Sequence, residues 1–277
     1  MLQMLTASRR IASALVLSLA GTLLAGCATA QPRPKVNALP GQPPTSILFI
    51  GNSFFYYNNS MHGHLLRIAN ADQPKAVPNL RATSVTISGS GLNWHNVEAY
   101  FDPTGMASYS FNADNSVSFN KFDRIFDAAI MMDCSQCPVH PTLKPLFHEY
   151  AKKHSDTVRK HGAQPVLFMS WAYQDKPEMT AQLAEAYTIA GNDNDALVIP
   201  AGLAFAASVA KRPDINLYVP DKRHPSLAGT YLAAATVYAT LFNRSPVGNS
   251  YTAGLDPEVA RHLQTVAWET VQRYHGR

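Results

Sequence analysis

Five short apolar runs, each closed by a turn signal and separated by stretches of helical periodicity, constrain this chain more than any other feature. The runs cover residues 46–50, 83–87, 127–132, 165–170 and 196–199. Helix-like stretches lie at 62–71, 143–161, 178–190 and 202–211, and two more, at 226–242 and 257–275, end the sequence. Short continuous apolar runs suit strands buried on both faces. Their alternation with helices suits a parallel sheet covered on both sides. The expected fold class is therefore α/β, a three-layer α/β/α arrangement with a central parallel sheet, in one domain over residues 45–277. With 277 residues, 46% of them hydrophobic and 15% charged, the chain can bury a core that needs no disulfide staples. In such sheets ligands bind beyond the carboxyl ends of the strands. Those ends carry Ser53, Gly89, Asp133 and Trp171.

The first 26 residues read as a targeting segment. Arg9 and Arg10 form a short positive region, and residues 11–24 form an apolar run too short and too rich in small residues for a membrane span. Leu24-Ala25-Gly26-Cys27 then resembles a bacterial lipobox. That resemblance implies cleavage before Cys27, lipidation of its thiol and attachment to a membrane of the bacterial cell envelope. Ala28 in place of an aspartate implies the outer membrane, in a host with two. Residues 27–44, rich in proline and without periodicity, read as a tether. Removing residues 1–26 takes two arginines and no acid, so the formal charge falls from +4 to +2. With its charges mixed along the chain, this sequence has no nucleic-acid footprint.

Two segments carry chemistry. Ser53 follows the first apolar run on a turn with Gly51, which presents a hydroxyl at the active edge of the sheet. Far along the chain, Asp221-Lys222-Arg223-His224-Pro225-Ser226 places a carboxylate three residues before an imidazole, in a loop that ends at a helix. Pro225 restrains His224 to extended backbone. A serine needs a base to take its proton, and that base needs orienting.

Gly51-Asn52-Ser53 with the following Phe54-Phe55-Tyr56-Tyr57-Asn58-Asn59 resembles the first block of the SGNH (GDSL-like) hydrolases, with Asn where Asp is usual. Asp221-x-x-His224-Pro225-Ser226 resembles their last block. The resemblance implies a flavodoxin-like fold and an ester hydrolase that needs no cofactor. It also implies Ser53 as nucleophile, His224 as general base then acid, and Asp221 as the orienting carboxylate. The oxyanion hole would use the backbone N–H groups of Ser53 and a glycine after the second strand. Gly89 fits that glycine best, with Gly91 the competing choice.

The third block departs from the family pattern. Where Gly-x-Asn-Asp is expected the chain reads Met132-Asp133-Cys134-Ser135-Gln136-Cys137. Gly191-Asn192-Asp193-Asn194-Asp195 has those letters but falls after the fourth run and reads as a polar turn. The third oxyanion donor is thus open between Ser135, Gln136 and a backbone N–H. Cys134 and Cys137 can close a small disulfide in an oxidising compartment or remain free thiols. A metal site would have to draw on His62, His64, His95, His140 and these cysteines, which show no zinc spacing; none is expected. Trp94, Trp171, Tyr173 and the residues 54–57 put aromatics near strand ends, either as packing or as a cleft wall for an acyl chain or a sugar ring. The function expected is hydrolysis of a carboxylic ester, an O-acetyl or short-acyl group on a glycan before a lipid ester. The competing class is an envelope binding lipoprotein that keeps the hydrolase fold without turnover.

Overall fold

The run that begins at Ser46 becomes β1 (Ser46–Gly51), all of it buried, as a strand with neighbours on both sides and helices on both faces must be. The computed structural model describes residues 31–102, 109–119 and 124–277; the signal-like segment, Cys27 and Ala28 lie outside the described residues. The other four runs also form strands: β2 (Arg81–Thr86), β5 (Ala128–Met131), β6 (Gln164–Phe168) and β7 (Leu197–Ile199). They assemble in the order β2-β1-β5-β6-β7, every pairing parallel. The register sets Ile47 beside Ala128 and Ile130 beside Val166. β2 is an edge strand and half exposed, which accounts for its weak apolar signal.

The crossovers supply the two outer layers. Right-handed connections send α4 (Lys144–Lys160) and α5 (Met179–Asp193) to one face. On the other face α2 (Met61–Ala71), α6 (Ala201–Lys211), α7 (Leu227–Phe242) and α8 (Pro257–His275) pack against one another. α7 is buried from Ala228 to its last residue. Its threonines meet that burial by bonding back to the preceding turn, Thr236 to the Leu232 carbonyl and Thr240 to that of Thr236. The short helices α1 (Ser53–Tyr56) and α3 (Val97–Tyr100) sit in the loops after β1 and β2. A two-stranded antiparallel ribbon, β3 (Tyr109–Phe111) with β4 (Val117–Phe119), is exposed along its length; three-residue strands are too short to show a period in sequence.

Two expectations are corrected. The segment 191–195 is a polar turn only at Asn194-Asp195: α5 continues to Asp193, with Gly191 against Val198. Asn192 lies at the far end of this helix and is occupied there, accepting from the Lys35 N–H and donating to the Arg33 carbonyl. Those same bonds revise the reading of 27–44 as a tether. From Pro32 onward the chain belongs to the folded unit, with Val36 and Leu39 half-buried against its core. Two apolar side chains among the prolines are enough to hold it there.

Candidate active site

Loops at the carboxyl ends of β1, β2, β5 and β6 converge with the segment before α7. Ser53 begins α1, and Asn52 caps that helix by accepting from the Phe54 N–H. The same side chain donates its amide to the carbonyls of Ser90, at 2.9 Å, and Asp133, at 3.2 Å. One buried amide thus joins the loops after β1, β2 and β5. This explains Asn rather than Asp at position 52, because a carboxylate cannot donate. Gly51 is required by a close approach rather than by a turn. A Cβ there would meet the Phe55 ring at 2.9 Å.

The structure brings Ser53, His224 and Asp221 together. Ser53 Oγ lies 2.7 Å from His224 Nε2, and His224 Nδ1 bonds to Asp221 Oδ2. Asp221 Oδ1 also accepts the backbone N–H groups of Arg223 and His224, each at 2.9 Å. A carboxylate only accepts, so Nδ1 carries the ring proton and Nε2 offers its lone pair to the serine hydroxyl. Desolvation pushes the Asp221 carboxyl upward, but the His224 ring and the two backbone donors outweigh it and hold the group at about 2. It stays ionised at neutral pH.

His224 is fixed by contacts that motif reading does not reveal. Tyr57 stacks on its ring at 4.4 Å between centroids, and Phe54 meets it edge-on at 5.5 Å. The three carbonyls around it are each held. Trp171 Nε1 donates to Arg223, the Val219 N–H to His224, and Asn58 Nδ2 to Pro225. Trp171 is itself clamped between Phe54 and Phe205, stacked at 4.6 and 4.1 Å. Ser226 then caps α7 through the Gly229 N–H. Tyr57 and Asn58 sit within the resembling first block, but only their partners give them a role.

Ser53 and His224 open into a cavity of about 160 Å³ lined also by Asn52, Gly89, Cys134 and Ser135. Gly89 lies on this cavity with φ of +72°, a region that favours glycine. Gly91 does not line it and packs against Asp133 instead. Ser135 does line it, its hydroxyl 2.7 Å from Tyr173 Oη. Gln136 does not; its carbonyl accepts from Val139 and His140. Cys134 and Cys137 are joined in a disulfide. Their sulfurs and Asp133 form a cluster of metal-ligand type, but a disulfide offers no thiolate. The histidines lie apart: His62 bonds Ser60 Oγ, His64 sits between the Asn58 carbonyl and Tyr251 Oη, and His95 sits between Ser90 Oγ and Tyr100 Oη.

Asp133 is buried, and its Oδ1 accepts the N–H groups of Leu92 and Cys134, both at 2.8 Å. Burial pushes its carboxyl up to about 6 against these two bonds.

No protein-family model and no curated protein matches the chain. Solved structures do. A DUF4886 family protein from Bacteroides uniformis superposes with a TM-score of 0.56 at 17% identity, over 82% of this chain and 94% of the other. A protein from Slackia heliotrinireducens, described as a candidate SGNH hydrolase, gives 0.52 at 23% identity over 71% and 98%. The fold is that of the SGNH hydrolases. An acetylxylan esterase from Geobacillus stearothermophilus, solved as a catalytic mutant, gives 0.51 at 13% identity over 73% and 96%. All three solved structures are matched over at least 94% of their own length.

Proposed function

We propose that this chain is a serine hydrolase of carboxylic esters acting through an acyl-enzyme. The observation that carries the reading is the continuous line from Asp221 through His224 to Ser53 Oγ. Ser53 Oγ attacks the ester carbonyl while its proton passes to His224 Nε2, and Asp221 stabilises the imidazolium. The oxyanion is held by the N–H groups of Ser53 and Gly89, with Ser135 the group at the third position. Collapse breaks the C–O bond, and Nε2 returns the proton to the leaving alcohol. Water, activated by the same nitrogen, then frees the acid and restores Ser53.

The substrate class we favour is an O-acetyl or short-acyl ester of a glycan. A cavity of about 160 Å³ at Ser53 suits a small acyl group. The acetylxylan esterase with this fold acts on such an ester, which is consistent with the reading. We further propose that the chain is anchored in the cell envelope through lipid on Cys27.

A fluorophosphonate probe tests the central point. Wild-type protein should label at Ser53 and Ser53→Ala should not. A folded wild type that fails to label would return the non-catalytic binding reading. Cys27→Ser should leave the membrane fraction with its esterase activity intact; retention in that fraction would remove the anchor.

A further inference from the structure

A second cavity, of about 200 Å³, adjoins the one at Ser53 and shares Gly89 and Cys134 with it. Its outer wall is Trp94, which is 60% exposed, whereas Trp171 is fully buried. Trp94 is displayed on a rigid base. It ends a 3-10 turn, Leu92–Trp94, whose first residue is pinned from three directions. The Leu92 side chain is buried, its N–H donates to Asp133 Oδ1, and its carbonyl bonds buried His154 Nε2 at 2.9 Å. An indole held out to water by a buried anchor keeps an apolar face hydrated and gains no core contact, so the arrangement suits a surface that a ligand covers. The same cavity is lined by Asn93 and by Asp133, whose carboxyl is buried. Two backbone bonds leave that carboxyl with accepting capacity to spare.

We propose that this cavity is the subsite for the alcohol side of the substrate, a sugar ring that stacks its C–H face on Trp94 and turns its hydroxyl edge to Asn93 and Asp133. The proposal rests on the ester-hydrolase reading and names the leaving group. A flat apolar plate beside polar groups matches a pyranose, which has one face of C–H bonds and a rim of hydroxyls. A purely aliphatic group would offer no hydrogen bond to Asn93 or to the remaining lone pairs of the Asp133 carboxyl. The larger apolar cavity, about 360 Å³ beside α6, touches the site only through Tyr173, and that side chain is tied to Ser135 and stacked under Arg223. The Trp94 cavity is therefore the one that continues directly from Ser53.

The test compares two acetyl esters on the full-length protein: 6-O-acetylglucose, whose leaving group is a pyranose with free hydroxyls, and ethyl acetate, whose leaving group has no ring. Trp94→Ala should lower kcat/KM for the sugar ester about tenfold, chiefly through KM, from the loss of one buried indole face. The same variant should lower kcat/KM for ethyl acetate less than twofold, and Trp94→Phe should recover most of the loss on the sugar ester. Equal effects on both esters, or none on either, would overturn the subsite. So would a wild type that cleaves ethyl acetate through Ser53 but not the sugar ester. A wild type that cleaves neither, and whose Ser53 does not label, overturns the hydrolase reading itself; that failure is visible without any change at Trp94.

Discussion

Trp171 donates its indole N–H to the carbonyl of Arg223 at 2.9 Å, one residue before the histidine that bonds Ser53. The ring is locked between Phe54 and Phe205, so the residue after Ser53 and the residue before His224 are positioned by one side chain. Trp171→Phe keeps an aromatic ring in the stack but leaves the Arg223 carbonyl without its donor. We expect stability to fall by about 1–3 kcal/mol and kcat for 4-nitrophenyl acetate to fall about tenfold as His224 loses its fixed position. Urea melts and steady-state kinetics on the same sample check both. An unchanged kcat would remove the positioning role.

Asn52 is the counterpart on the nucleophile side. Asn52→Asp restores the residue more usual in this motif, yet here it would set a carboxylate against the carbonyls of Ser90 and Asp133. Both would lose their donor. The expected cost is about 2–4 kcal/mol, read as a shift in the urea midpoint. Stability equal to wild type would show that the amide is not what joins the three loops.

Asp133 gives the fold a pH signature. Its carboxyl is raised to about 6 in the folded protein by burial, above the unfolded value near 3.9. The folded state therefore binds the proton more tightly. Stability from this group is greatest below about pH 4 and declines as pH rises through about 6. Asp133→Asn keeps an oxygen acceptor for Leu92 and Cys134 but cannot ionise. The wild-type-minus-variant difference in unfolding free energy should become more negative between pH 4 and 7, by up to about 3 kcal/mol. A difference independent of pH would contradict the burial argument.

Much of this was legible in the sequence, and the limits have physical causes. All five strands of the parallel sheet follow from apolar runs, because burial on both faces leaves little room for polar residues; in β1 and β5 only Ser46, at the start of its strand, is polar. The meeting of Ser53, Asp221 and His224 was legible as well, since the proposed chemistry needs those residue types and the loops carry them in order. Tyr57, Asn58 and Trp171 were not legible as supports of His224. Each acts through a long-range contact that no local pattern encodes. Asn192 shows the converse: its letters match the family's third block, its place after the fourth run set it aside, and its helix carries it to the opposite edge of the sheet. The choice between Gly89 and Gly91 also needed the fold, which packs Gly91 against Asp133 and leaves Gly89 on the Ser53 cavity.

Tyr173 separates the small cavity at Ser53 from the apolar cavity beside α6. Wild-type protein should favour acetate over octanoate among 4-nitrophenyl esters. Tyr173→Ala should join the two cavities and raise the octanoate-to-acetate ratio of kcat/KM about tenfold. A ratio that does not move would show that the apolar cavity does not communicate with the site.

The central claim is that Ser53, His224 and Asp221 act as one catalytic unit, and its most direct test is kcat for 4-nitrophenyl acetate across single and double variants. Ser53→Ala and His224→Ala should each lose several orders of magnitude, and the double variant should be little worse than either alone, because neither residue works without the other. A purified, folded Ser53→Ala protein with wild-type esterase activity would contradict the account.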